Sequence, residues 1–135
     1  MRKILFRGKR VKPVALVSQW ILGNHVFKAD DSLPGLGKHF IVVHDGFGLS
    51  QWVEVDTDTV GQYTGLMDKN GKRIFEGDVV QMRTDDLSKR GEIVFKDGSF
   101  GIDDKKRKRF YYMYHDAVYR VDGNIHDNPE MLEGN

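Results

Sequence analysis

The chain has 135 residues, 21 basic and 20 acidic side chains, a formal net charge of +1 and no cysteine. The missing thiols exclude disulfides, thiolate nucleophiles, iron–sulfur clusters and cysteine-type zinc sites. Leu, Ile, Val and Phe occur 9, 7, 14 and 8 times, enough to build a core, and no apolar run approaches the roughly 20 residues that span a bilayer.

Ala occurs 3 times and Glu 5 times, against 21 Val plus Ile and 15 each of Asp and Gly. Helices favour Ala, Glu and Leu, whereas strands favour β-branched residues and their turns favour Gly, Asp and Asn. A mostly β chain is therefore expected. Residues 4–6 read as a first short strand within a basic stretch that holds Arg2, Lys3, Arg7, Lys9, Arg10 and Lys12 and no acid. Residues 13–22 fit a short amphipathic helix or a strand, and the Trp20-Ile21-Leu22 run favours a strand over 20–27. Residues 28–38 contain Asp30, Asp31, Ser32, Pro34, Gly35 and Gly37 and predict a long surface loop. That loop is the best sequence boundary between an N-terminal β segment, 1–27, and a main domain, 39–135, with one single domain as the alternative.

Further strands are predicted at 40–43, 51–55, 79–82, 92–95, 110–114 and 117–121. Asp45-Gly46, Asn70-Gly71, Asp97-Gly98 and Asp122-Gly123 are dipeptides suited to tight hairpins, because Gly reaches positive φ without a Cβ clash. The clearest hairpin joins 91–95 to 100–102 through Lys96-Asp97-Gly98-Ser99. One helical turn is expected at 128–132, with Asn128 as N-cap and Pro129 in the first helical position. Short strands at close spacing predict an all-β, antiparallel fold with a small barrel-like core and an additional N-terminal β segment.

The centre of the chain reads Val60-Gly61-Gln62-Tyr63-Thr64-Gly65-Leu66-Met67-Asp68-Lys69-Asn70-Gly71-Lys72-Arg73-Ile74-Phe75-Glu76-Gly77-Asp78-Val79-Val80. It is accompanied by an opening Arg2-Lys3-Ile4-Leu5-Phe6-Arg7-Gly8-Lys9, a Trp20-Ile21-Leu22-Gly23 segment and a close, Gly123-Asn124-Ile125-His126-Asp127-Asn128-Pro129-Glu130-Met131-Leu132. Together these resemble the YopX family, small proteins of phages and prophages of low-GC Gram-positive bacteria. The resemblance covers essentially the whole chain and is weakest over 28–49. It implies a mostly β, phage-encoded protein without an assigned activity, and it brings no catalytic residues. Read from its residues alone, the block is structural, with turns at 68–71 and 76–78 flanking the core residues Ile74 and Phe75. The Gly77-Asp78-Val79-Val80 segment and the hairpin that follows it also resemble SH3-like barrels, a likeness of fold that carries no function.

Chemistry-bearing residues are few. Lys105, Lys106, Arg107, Lys108 and Arg109 form a basic run followed by Phe110, Tyr111 and Tyr112. Cations displace counterions from phosphates and rings stack on bases, so Lys105 to Arg109 with Tyr111 and Tyr112 are the candidate contacts to nucleic acid or another partner. The bland reading is a solvated hairpin tip with its aromatics in the core. The last fifteen residues hold Asp122, Asp127, Glu130 and Glu133 and no base, so an acidic end docking on a basic start of a neighbour would make a homo-oligomer. The histidines, His25, His39, His44, His115 and His126, show no i, i+4 zinc pair, and no metal site is expected. Glu76 and Asp78 are two apart around a Gly turn and His115-Asp116 are adjacent, but solvation is the default there, and no serine sits in a nucleophile elbow. Gly35-Leu36-Gly37 and Gly46-Phe47-Gly48 lack the strand-then-helix setting of a phosphate loop, so no cofactor and no catalysis are expected. The expected function is a non-catalytic binding module contacting a host or phage macromolecule. A self-assembling β protein is the alternative, and a nucleic-acid accessory factor or cryptic hydrolase trails. The charged start is unlike a secretory leader, so the expected location is the host cytoplasm, off the membrane.

Overall fold

The computed structural model describes residues 2–33, 35–85, 88–114 and 116–132. Two compact units divide the chain, Met1–Gln62 and Tyr63–Asn135. All strand pairings are antiparallel, in keeping with the composition.

In the first unit, β1 (Phe6–Lys9), β2 (Trp20–Ala29), β3 (Gly37–His44) and β4 (Ser50–Val55) lie side by side in the order β4-β3-β2-β1. Alternate residues Ile21, Ile41, Val53 and Val55 face one side and form the core, with Phe6 and Val60 packed against them. Burying each such side chain stabilises by roughly 1.5–3 kcal/mol. Gly8 is required by close approach, since a Cβ there would lie 2.8 Å from Val55 Cβ. The 28–38 segment is not a boundary loop. Lys28 pairs with Lys38 and Ala29 with Gly37, so strands continue into it from both ends. Exposed strand positions tolerate lysine, which is why a charged, Gly-containing stretch read as loop. The ladder joins residues on both sides of the expected boundary, and the division falls after Gln62 instead.

β5 (Gly61–Met67) starts in the first unit, where Gly61 and Gln62 pair with Arg7 and Phe6. Its later residues belong to the second unit and pair with β6 (Arg73–Phe75). Neither strand was evident in the sequence, because Gly61 and Gly65 interrupt the alternation. The second unit continues with β7 (Asp78–Arg83), β8 (Ser88–Lys96), β9 (Ser99–Asp104), β10 (Arg109–Tyr112) and β11 (Val118–Asn124), in the order β10-β9-β8-β7-β11. Ile74, Val80, Met82, Ile93, Ile102, Ala117 and Tyr119 form its core.

The expected barrel stays open, and among the described residues no ladder joins β10 to β11. The far edge of β11 is taken by the turn after β5: Lys69 N–H donates to Tyr119 O (2.8 Å) and Val121 N–H to Asp68 Oδ2 (3.1 Å). The β8–β9 hairpin turns at Asp97 and Gly98, with φ of 53° and 82°, as the Asp-Gly pair predicts. Asp122-Gly123 is a correction. It lies inside β11 at a register shift between Val121 and Gly123, and makes a bulge rather than a turn. Pro129–Leu132 form one turn of 3-10 helix where a helical turn was expected.

Candidate functional site

The basic run occupies the turn between β9 and β10, and the turn is built by an acid. Asp104 is buried at the end of β9. Its carboxylate accepts the Arg107 backbone N–H and pairs with the Arg107 guanidinium, both at 3.1 Å. Burial alone would raise this carboxyl, but the Arg107 N–H, the Arg107 guanidinium and its charge outweigh burial and hold it below the usual range. Lys105 Nζ reaches back to Glu92 Oε1 at 3.2 Å on β8. Two of the five cations are thus neutralised locally. Among the described residues, Lys106, Lys108 and Arg109 have no ion-pair partner, and all five side chains of the run are exposed.

The two tyrosines are not brought together. Adjacent strand residues point to opposite faces. Tyr111 packs against the core, with Lys89 Nζ 5.4 Å from its ring centre. Tyr112 is exposed and meets Phe110 edge-on at 5.0 Å. Tyr112 is the exposed ring of this pair.

The neighbouring strand contributes a part that the sequence reading missed. Ser88, Lys89 and Arg90, at the start of β8, line a groove with Asp104, Lys106 and Arg107. Four basic residues and one carboxylate, which Arg107 engages, line this groove, and Lys89 turns its amine toward the Tyr111 ring. Arg90 Nε also lies 3.4 Å from Asp122 Oδ2, and Arg120 Nε 2.7 Å from Asp122 Oδ1. A Ser-Lys-Arg triplet before Gly91 reads as loop, so the predicted strand began too late to include it. The dibasic Lys89-Arg90 was the available signal.

The other candidates are structural. Asp68 Oδ1 accepts the N–H groups of Asn70 and Lys72, each at 2.9 Å, and Oδ2 accepts that of Val121. Burial pushes this carboxyl up, but the Val121, Lys72 and Asn70 donors prevail and hold it below its ordinary value. Asp78 is 1% exposed and its Oδ2 accepts Phe75 N–H at 2.8 Å, so it closes the β6–β7 turn instead of facing solvent beside Glu76. His115 lies outside the described residues, and Asp116 is exposed. In the basic start, Arg7 is buried with its guanidinium 4.7 Å from the Trp20 ring centre, and Arg10 Nε donates to Ser18 O. His25 Nε2 and His39 Nδ1 share a 2.7 Å hydrogen bond, and burial, then the neighbouring His39, hold His25 below the usual imidazole range. His44 Nδ1 bonds Ser50 Oγ at 2.7 Å. Among the described residues no three His, Asp or Glu side chains converge as metal ligands, and no helix is long and apolar enough to cross a membrane.

The molecule is therefore an antiparallel all-β protein with a cationic groove at one strand end. The YopX protein family matches over residues 37–133, and the chain belongs to that family. No curated protein matches it. Among solved structures it is similar to protein yopX from Bacillus subtilis, with 18% identity, a TM-score of 0.55, and 98% of this chain and 99% of that chain covered. It is also similar to protein EF1440 from Enterococcus faecalis, with 26% identity, a TM-score of 0.49 and the same coverage.

Proposed function

We propose that this chain is a non-catalytic binding module of phage or prophage origin that acts in the host cytoplasm and contacts a host or phage macromolecule through the groove between β8 and the β9–β10 turn. The observation that carries this reading is a groove lined by Lys89, Arg90, Lys106 and Arg107, in which Asp104 is already engaged by Arg107. The acids of the family block support it from the other side. Asp68 and Asp78 accept backbone N–H groups, a role in architecture and not in proton transfer. The test is capture from host-cell extract with the wild-type chain and with a Lys106→Glu, Lys108→Glu, Arg109→Glu variant. A captured component lost on charge reversal supports the reading, and one retained in full refutes the groove as the contact.

A second reading, self-association, is favoured by β10. It is the outer strand of its sheet, and an uncovered strand edge pairs readily with another copy. Light scattering at high micromolar concentration tests it, and a monomer there rules it out.

A further inference from the structure

The strand beneath the cations carries a second property. The β8–β9 ladder begins at Glu92↔Asp103, and Gly91 is still covered by the Asp103 carbonyl; among the described residues Ser88, Lys89 and Arg90 pair only with β7, opposite Arg83, Met82 and Gln81. In an antiparallel ladder successive residues turn their N–H and C=O groups to alternate sides. Of these three, Ser88 and Arg90 therefore present backbone groups to the side that β9 has left. β9 does not follow because the chain reverses at Lys105–Lys108, a turn fastened by Arg107 on Asp104. The result is a notch with a strand edge as its floor and the basic turn as its wall.

We propose that this notch takes an extended acidic peptide segment of a partner protein, which adds to β8 as a short strand while its carboxylates meet Arg90, Lys106 and Arg107. The inference rests on the binding-module reading and names the partner's chemistry. Three strand residues span roughly 10 Å, so the docked segment is short and its side chains supply much of the specificity. Charge decides against nucleic acid. A polyanion needs uncompensated cations along its path. Here Glu92 engages Lys105, and residues 63–135 hold 13 basic and 14 acidic side chains, so the cations form a local cluster and not a track. A peptide with a few carboxylates needs only the local cations. It also brings amide donors and carbonyl acceptors in strand spacing, which a phosphodiester backbone lacks.

The test is fluorescence anisotropy on the full chain with a labelled octapeptide of alternating Glu and Val as probe. Saturable binding is expected at low salt. It should weaken by about tenfold or more when the glutamates become glutamines, when alternate peptide amides are N-methylated, or when Lys106→Glu is introduced. Lys106 is exposed, so an unchanged circular-dichroism spectrum for that variant separates loss of binding from loss of fold. Binding indifferent to N-methylation would overturn strand addition. A short oligonucleotide that displaces the peptide at lower concentration than unlabelled peptide would assign the notch to nucleic acid and overturn the proposal. Absence of peptide binding at millimolar concentration would overturn it too. The binding-module reading would still stand if charge reversal abolished capture from host extract.

Discussion

Two turns of the second unit use the same device to different ends. At 68–72 and at 104–107 a buried aspartate ties the backbone of a tight turn. Asp68 accepts three N–H groups, and one of them, Val121, lies 53 residues away and belongs to β11. Asp104 accepts the N–H and the guanidinium of Arg107, three residues on, and its other backbone donor, Lys106, is in the same turn. The first carboxylate therefore fastens a turn to a distant strand, while the second shapes a local tip and sets cations around a groove. The family block carries the architecture, and the run beside it carries the surface chemistry.

The largest expected effect comes from breaking the long-range tie. Asp68→Ala leaves three N–H groups without their acceptor, at about 1 kcal/mol or more each, so urea denaturation should show a loss of about 3 kcal/mol or more. Asp104→Ala should cost less, about 1–2 kcal/mol, with faster hydrogen exchange at the Arg107 amide as the local readout.

Acid sharpens the same contrast. Asp68 and Asp104 both ionise more readily in the folded protein than in the unfolded chain, whose carboxyls titrate near about 4. The unfolded state binds more protons as pH falls through that range. Both contributions are thus fully present above about pH 5 and are lost as pH drops through the folded values. Asp68→Asn should remove part of the acid slope in a stability–pH series, and Asp104→Asn a further part. His25 adds a separate step at higher pH. Its folded value is depressed, so its contribution is present above the ordinary imidazole range and lost as pH falls through it to the folded value. His25→Gln should remove that step.

The smallest effect on stability is expected from the cations themselves. Lys106→Glu with Lys108→Glu removes exposed side chains that have no ion-pair partner among the described residues, and should shift the urea midpoint by no more than about 0.5 kcal/mol equivalent.

Much of the fold was legible because its signals are local. Val and Ile richness gave the strands, and Asp97-Gly98 gave the hairpin turn with both residues at positive φ. The family motifs were legible as well, since they are contiguous. Failures arose where tertiary pairing overrides local composition. Lys28 and Lys38 sit on paired strands because their face is exposed, and Asp122-Gly123 bulges because β7 holds β11 on both sides of it. The site was half legible. The basic run announces itself, but adjacency in sequence placed Tyr111 and Tyr112 together where the strand's alternation separates them. The Lys89-Arg90 floor becomes visible only when β8 is seen to outrun β9.

The central claim is that the family block holds the fold while the groove at the end of β8 makes the contact. The most direct test is a nitrogen-15 amide titration of the full chain with the alternating Glu and Val peptide. The account predicts shifts concentrated on Ser88, Lys89, Arg90, Lys106 and Arg107, with Asp68 to Lys72 unmoved. Shifts centred on Asp68 to Lys72 or on Glu76 to Asp78, with the groove silent, would contradict it.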